Sequence, residues 1–117
     1  MAPNRAPVPA RLKRRAEFLR VASRGRKAAV HGLVLQAMAR GDENPARIGF
    51  TVTKKVGNAV IRNRTRRRLK EAARLLLQQR VVTGTDLVLI GRDTTRDRPF
   101  TELMNDLDRA LTKAGVA

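Results

Sequence analysis

The feature that most constrains the fold is an amphipathic pattern in the middle of the chain. If residues 59–79 form an ideal helix at about 100° per residue, one arc of roughly 80° is almost entirely apolar. Such a stripe must be buried against other elements, so the chain needs a sheet or further helices to cover it. The stripe consists of Ile61, Thr65, Leu69, Ala72 and Leu76.

The remaining surface of this predicted helix is basic. The stretch RNRTRRRLK, residues 62–70, carries six cationic side chains, and the first acidic residue after it is Glu71. Like charges at i,i+4 repel by a few tenths of a kcal/mol per pair, and an ordinary solvated face would mix the two signs. We therefore predict that this face binds a polyanion. Its cations are Arg62, Arg64, Arg66, Arg67, Arg68 and Lys70.

The start of the same helix is also suited to an anion. Asn58 is the natural N-cap, and the flexible Gly57 precedes it. Lys54 and Lys55 lie just before that point. Free backbone amides at a helix N-terminus, together with nearby cations, favour phosphate binding.

Composition limits the other possibilities. The 117 residues are enough for one domain, and 26 Lys and Arg against 10 Asp and Glu give a formal charge of +16, which favours nucleic acid as the partner. Without cysteine there can be no disulfide and no thiolate metal site. No apolar run approaches the ~18 residues of a membrane span, so no membrane partner is expected. The aromatic residues are only three phenylalanines, so base stacking must be sparse.

The rest of the chain predicts a small α+β domain. We interpret residues 1–10, with three prolines, as a disordered basic N-terminal arm, and residues 11–117 as the domain. Helical periodicity runs from Leu12 to Ser23, with Gly25 as the stop. Residues 28–39 and 47–53 alternate as strands around a polar turn at 40–45, which predicts an antiparallel hairpin.

After the basic helix, the run LVLI at 87–90 predicts a strand that is covered on both faces. A last helix begins near Phe100 and closes at Gly115. The predicted order is α-β-β-α-β-α, with helices packed against one small sheet.

Nothing in the pattern predicts catalysis by the chain itself. His31 has no evident partner, and Asp106 and Asp108 are two residues apart on a helix, where they point in different directions. A nuclease would need grouped carboxylates or paired histidines. We predict no catalytic residue and no metal ligand. Three classes remain open: an RNA-binding subunit of a larger enzyme, a general basic RNA- or DNA-binding module such as a ribosomal protein, and a protein-only nuclease.

Two stretches resemble a known family. KKVGNAVIRNRTRRRLKEAAR, residues 54–74, resembles the signature of the bacterial ribonuclease P protein component, an Arg-Asn-Arg helix after a Lys-rich loop. RLKRRAEFLRVASRG, residues 11–25, is similar to the first helix of that family. The resemblance spans about residues 11–114. It implies a single-domain α/β sandwich like the second domain of ribosomal protein S5, with a left-handed βαβ crossover that departs from the usual right-handed rule.

The resemblance also implies a function. Proteins of this family bind a catalytic RNA and promote endonucleolytic removal of the 5′ leader of precursor tRNA, so the chain would be a subunit of a ribonucleoprotein hydrolase and not catalytic alone. The implied partners are the catalytic RNA and precursor tRNA, with no protein oligomer required. Mg²⁺ would be held mainly by the RNA, and the location would be cytoplasmic.

Site residues follow from the same resemblance. The RNA-subunit surface would comprise Lys54, Arg62, Asn63, Arg64, Arg66, Arg67, Arg68 and Lys70. The leader-binding cleft would comprise Phe18, Val34, Phe50 and Lys55. At two positions where the family often has an aromatic residue, this chain has Ala22 and Gln36, which predicts weaker stacking of the leader.

Overall fold

The fold is built around the apolar strand near residue 88, which has a neighbour on each side and helices over both of its faces. The structure is a computed structural model that describes residues 9–116. In chain order its elements are β1 (Ala10–Arg11), α1 (Arg15–Arg24), β2 (Arg26–Ala29), β3 (Leu33–Ala39), β4 (Arg47–Thr51), a 3₁₀ turn (Lys54–Val56), α2 (Ala59–Gln79), β5 (Thr85–Gly91), a second 3₁₀ turn (Asp93–Thr95) and α3 (Phe100–Lys113).

One mixed sheet has the strand order β1-β4-β5-β3-β2. Strand β5 pairs antiparallel with β3 and parallel with β4. The unit β4–α2–β5 therefore joins two adjacent parallel strands through a helix, as the resemblance implies. The left-handed sense of that crossover stays a prediction. This mixed sheet with three helices confirms the α+β class.

The predicted hairpin between residues 28–39 and 47–53 is wrong. Strand β5 lies between β3 and β4, and the antiparallel hairpin is instead formed by β2 and β3, which divide the predicted first strand at a turn. The loop after β3 crosses the beginning of β5, since the backbone N–H of Ala46 donates to Val82 and that of Gly84 donates to Asn44. The sequence of a short polar loop does not show whether its flanking strands pair directly or lie on either side of a third strand. Here the third strand is β5, the most apolar one, and it lies at the centre of the sheet.

The N-terminal boundary also differs from the prediction. Residues 1–8 of the predicted arm lie outside the described residues. Ala10, however, belongs to β1, where its N–H donates to the Ala46 carbonyl at 2.9 Å and the Leu12 N–H donates to Ile48 at 2.9 Å. The ordered domain thus includes residue 10. A two-residue edge strand has too short a pattern to be detected in the sequence.

Two clusters of buried side chains lie on opposite faces of the sheet. The larger one packs α2 and α3 against the sheet through Leu69, Leu89 and Leu107. The smaller one, Leu12, Val21 and Val88, lies under α1. Because α1 has only ten residues, it covers part of its face and leaves the rest accessible. Within residues 9–116, no helix has the length and apolarity needed to cross a membrane.

Candidate nucleic-acid interface

The helix α2 begins where the sequence predicts. The Asn58 side chain accepts a hydrogen bond from the Ile61 N–H at 3.0 Å, so Asn58 is the N-cap. Gly57 has a φ of +154°, and a Cβ at this position would lie 2.9 Å from Ile61 Cγ2. Glycine is needed there because it allows this φ and lets the backbone approach the first turn closely. Lys54 and Lys55 are exposed in the 3₁₀ turn just before it.

The two sides of α2 divide as the periodicity predicts. Thr65, Leu69 and Ala72 are fully buried, whereas Arg64 and Arg67 are exposed. Among residues 9–116, no carboxylate lies within 4.0 Å of the charged group of any of the six predicted cations, and five of the six also make no hydrogen bond to a backbone carbonyl. Those five are Arg62, Arg64, Arg66, Arg67 and Lys70. We call them the α2 cation face.

The sixth cation, Arg68, does not lie on this face, which corrects its predicted placement there. Its guanidinium donates to the backbone carbonyls of Thr95 at 3.1 Å and Arg96 at 2.5 Å, and to that of Arg98. These bonds join α2 to the turn that precedes α3. At the edge of the apolar stripe the side chain points inward, so three of its five N–H donors bind backbone carbonyls and stabilise the fold.

Lys70 is placed among other cations. Burial lowers the pKa of the Lys70 ammonium, and the charges of Arg11 and Arg66 lower it further. Arg11 lies in β1 opposite Ile48, on the sheet face that α2 covers. Periodicity within α2 could not have identified Arg11, because only the pairing of β1 with β4 brings it near the helix. Positive charge therefore continues from the α2 cation face onto the edge of the sheet.

Asn63 lies on the same exposed side, and its Oδ1 accepts a hydrogen bond from Arg66 at 3.0 Å. The amide thus holds one guanidinium of the face in place. The Asn63 side-chain oxygen is therefore bonded within the protein, where it orients the Arg66 guanidinium.

The second predicted site lies on the opposite face of the sheet, beside α1. The Phe18 ring covers Gly49 so closely that a Cβ at residue 49 would overlap ring atoms. Val34 pairs with Ile90 across β3 and β5, and both are half-buried on this same face. Phe18, Val34 and Ile90 form the apolar part of a surface beside α1. We call this surface the α1 cleft.

Phe50 is not part of the α1 cleft, which corrects its predicted role. It packs against the larger core on the α2 side, next to Gly49 in sequence but on the other face of the sheet. Side chains alternate along a strand, so Gly49 under Phe18 requires Phe50 to point away. Gln36 lies on the cleft face together with Val34 and is half-buried, and Ala22 of α1 is exposed.

A network of ion pairs that the sequence did not reveal anchors α1. Asp86 is 1% exposed, and it accepts two hydrogen bonds from Arg47, at 2.8 and 2.6 Å, and one from Arg40 at 2.7 Å. Arg47 also bonds to Glu17 at 2.6 Å. Burial acts to raise the pKa of the Asp86 carboxyl, but the hydrogen bonds from Arg47 and Arg40 outweigh it and hold that pKa below its ordinary value. The paired residues are 30 to 46 positions apart in the sequence, so no local sequence pattern predicts these ion pairs.

The acidic groups do not assemble a metal site. Among residues 9–116, no group of three or more His, Asp or Glu side chains is arranged to hold a metal ion. Asp106 is buried and bonded to Arg98 at 2.8 Å, whereas Asp108 is exposed and pairs with Arg80 at 2.8 Å, so the two diverge as predicted. His31 is exposed in the turn between β2 and β3. The residues present do not fit a protein-held Mg²⁺.

A small α+β domain with a cationic helix on one face and a half-open apolar cleft on the other defines a nucleic-acid-binding protein. Comparison with known proteins narrows this class. The model of the ribonuclease P family matches residues 7–115. A ribonuclease P protein component from Gluconacetobacter diazotrophicus is 68% identical over 106 residues, which is 91% of each chain. One from Paramagnetospirillum magneticum is 51% identical over 110 residues, 91% of this chain and 83% of the relative.

Solved structures agree with this match. The Staphylococcus aureus RNase P protein has a TM-score of 0.77 at 28% identity, covering 93% of this chain and 98% of that one. The RNase P protein from Thermotoga maritima shares the fold, with a TM-score of 0.69 at 24% identity over 88% of this chain and 96% of that one.

The chain belongs to the ribonuclease P protein family. The general function of this family is to act with an RNA subunit in removing the 5′ leader from precursor tRNA. The protein is therefore a subunit of a tRNA-processing ribonucleoprotein and has an RNA subunit as its partner. The open choice among a subunit, a general basic module and a protein-only nuclease is decided for the subunit.

Proposed function

We propose that the protein binds the RNA subunit through the α2 cation face and holds the 5′ leader of precursor tRNA in the α1 cleft. The observation that carries the proposal is that five clustered cations have no acidic partner among the described residues. Repulsion among them is relieved when phosphates bind. Lys54 and Asn63 complete this surface, the first beside the helix N-terminus and the second through its bond to Arg66.

The α1 cleft suits a single strand rather than a duplex. Phe18 offers a half-buried ring on which a base can stack, and Val34 and Ile90 extend the apolar floor. Lys55, exposed after β4, supplies a cation for the leader backbone. Ala22 and Gln36 provide no second ring, so stacking depends on Phe18 and a strong preference for particular leader bases is not expected.

The metal chemistry is proposed to belong to the RNA. Mg²⁺ would be held mainly by RNA phosphates, because the grouped carboxylates that a protein site requires are missing from residues 9–116. The chain's own residues neutralise phosphate charge and position the leader, and they perform no proton transfer. We place this function in the cytoplasm, with one protein chain sufficient for it.

The test is processing of precursor tRNA by the matching RNA subunit at low Mg²⁺, with and without the protein. We expect the protein to raise the rate of 5′ cleavage and to increase the affinity for precursor over mature tRNA. If the protein does not stimulate cleavage, the proposal is wrong. A general basic module would bind precursor and mature tRNA complexes equally, and a protein-only nuclease would cleave without the RNA subunit.

A further inference from the structure

A second cationic groove lies at the other end of the sheet from the N-terminus of α2. Its volume is about 1120 Å³, and it is lined by the C-terminal end of β3, the start of β5 and the residues that follow α3. Its charged lining residues are Arg20, Arg24, Arg26, Arg40 and Asp42. The groove therefore has an excess of positive charge that neither the α2 cation face nor the α1 cleft includes.

Most of that charge is not neutralised within the protein. Arg40 is engaged by Asp42 at 3.0 Å and by Asp86 at 2.7 Å. Among residues 9–116, by contrast, the side chains of Arg20, Arg24 and Arg26 form no ion pair with a carboxylate and no hydrogen bond within the protein. Three arginines that line the same groove without an acidic partner are complementary to a polyanion.

Apolar side chains also line the groove, and they favour contact with unstacked bases. Met38 and Val116 line it together with Val81, which is 54% exposed and thus a large apolar side chain left uncovered by the protein. A surface that joins apolar contact area to guanidinium groups suits single-stranded RNA, whose bases can lie against the apolar side chains while its phosphates bind the arginines. The volume exceeds the ~300–1,000 Å³ of small-molecule sites, which fits a segment of a polymer.

The groove and the α1 cleft lie on the two flanks of the same helix. Relative to the buried Val21, a rotation of about 100° per residue puts Phe18 and Ala22 on one flank of α1 and Arg20 and Arg24 on the other. Ten residues at 1.5 Å make α1 only ~15 Å long. An RNA strand that passes around the C-terminal end of α1 therefore needs to span only a short distance between the cleft and the groove.

Cations border that path. Lys27 is exposed on edge strand β2 and pairs with Gln36, so it lies on the cleft face. Arg26, its neighbour in sequence, points to the other face and lines the groove, as does Arg24 at the end of α1. Lys27, Arg26 and Arg24 thus connect the two surfaces.

We propose that this groove binds the distal part of the precursor tRNA 5′ leader, upstream of the nucleotides in the α1 cleft. The inference rests on the proposed leader site in that cleft. It adds a second, sequence-tolerant contact, so that the protein distinguishes long leaders from short ones.

The experiment compares precursor tRNAs with no leader, with a leader of about four nucleotides and with one of about twelve. Both leader lengths lie within the ~4–16 nucleotides that single-strand-binding domains cover. Affinity for the complete ribonucleoprotein is measured for the wild type and for the double variant Arg20→Ala, Arg24→Ala. The matched control is Arg109→Ala, Lys113→Ala. Like Arg20 and Arg24, these residues are exposed on a helix, and Lys113, like Arg24, lies in a last turn.

We expect the wild type and the control to bind the precursor with the longest leader more tightly than the one with the short leader. The groove variant should lose this added affinity and should bind the short-leader and leaderless precursors as the wild type does. The salt slope for the longest leader should fall by about 1 to 2, at ~0.7 per lost single-strand phosphate contact. Replacement of Arg20 and Arg24 by lysine should restore most of the gain, since charge is retained.

Three results would overturn the inference. The groove variant could keep the gain, the wild type could gain nothing beyond the short leader, or the variant could bind all precursors less tightly, including the leaderless one. The last result would assign the groove to the RNA subunit. In each case, tighter binding of the short leader than of no leader would leave the α1 cleft proposal intact. Absence of that difference in the wild type would overturn both.

Discussion

At the scale of single residues, neighbours in sequence have opposite roles. Arg67 is exposed on the α2 cation face, whereas Arg68 bonds to three backbone carbonyls of the segment before α3. Gly49 lies beneath Phe18, whereas Phe50 packs into the core on the other side of the sheet. Composition does not distinguish such neighbours, because direction is set by helix rotation and strand alternation.

Replacement of Arg67 and of Arg68 by alanine should therefore change different properties, RNA affinity for Arg67 and stability for Arg68. Arg67→Ala removes a proposed phosphate contact. The slope of log affinity for the RNA subunit against log salt should therefore become flatter by ~0.7–0.9, while the unfolding midpoint stays unchanged. Arg68→Ala leaves three carbonyls without a donor, which should cost about 1–3 kcal/mol of unfolding free energy. Salt titration and urea unfolding of both variants measure this. The reverse pattern would show that the face is misassigned.

Among the acidic residues bonded to Arg40, replacement of Asp86 should lower the unfolding free energy most. Asp86→Asn leaves two arginines facing a buried neutral group, and we expect a loss of about 3 kcal/mol or more in unfolding free energy. Asp42→Asn is the control, since Asp42 is exposed and pairs with the same Arg40. It should cost less than about 1 kcal/mol. Equal losses in urea unfolding would contradict this assignment.

The same carboxylate predicts a pH dependence. The pKa of Asp86 is lower in the folded protein than its ordinary value, so the folded state binds its proton less readily than the unfolded state. The contribution to stability is therefore complete above the unfolded pKa of about 3.9 and is lost as the pH falls through the folded value. Urea unfolding between pH 7 and the acid range should show this loss in the wild type and a smaller one in Asp86→Asn.

At the scale of elements, α1 is positioned by contacts at both of its ends. Its N-terminal turn is anchored because Glu17 accepts hydrogen bonds from the Lys13 and Arg14 N–H groups and binds Arg47. Gly25 ends the helix, and a Cβ at this position would lie 2.7 Å from the Ala37 carbonyl oxygen. Between these ends Phe18 packs on Gly49, which sets the depth of the cleft.

Gly49→Ala should therefore move α1 outward. The added methyl group would overlap the Phe18 ring, and overpacking of this kind costs about 1–3 kcal/mol. We expect lower stability and a lower affinity for precursor with a leader, but unchanged affinity for the leaderless one. Phe18→Leu in the same chain should recover part of the stability, as measured by urea unfolding. Without such recovery, the contact between residues 18 and 49 does not position α1.

At the scale of the whole molecule, the sheet separates the two proposed binding surfaces. The α2 cation face lies beyond one side of the sheet and the α1 cleft on the other, which is the arrangement that the proposed contacts with two RNAs require. The charge follows this arrangement: all five members of the face are on one helix, and the cleft is mainly apolar with Lys55 nearby.

The two surfaces should act independently. Phe18→Leu removes a stacking ring and should weaken only precursors that carry a leader, by about 1 kcal/mol or more. Arg64→Ala with Arg67→Ala should weaken binding of the RNA subunit whether or not a leader is present. In the combined variant the losses in binding free energy should add to within about 0.5 kcal/mol. A larger coupling would indicate that both surfaces contact the same RNA segment.

Much of the protein is determined by its sequence because the signals are local. The 3.6-residue periodicity places Thr65 and Leu69 inside and Arg64 and Arg67 outside, the cap at Asn58 begins α2, and the apolar run at 87–90 becomes a strand covered on both faces. Each of these features depends on residues within a few positions of one another. The resemblance supplied the family on the same local grounds.

Only the tertiary structure decided the rest. Insertion of β5 between β3 and β4, the pairing of β1, and the burial of Asp86 between Arg40 and Arg47 all join residues that are distant in sequence. Long-range contacts also turn Arg68 toward the segment before α3 and place Phe50 on the sheet face opposite the cleft. They are decided by burial and hydrogen bonding across the fold, and a local pattern of residues carries no information about which distant group will be the partner.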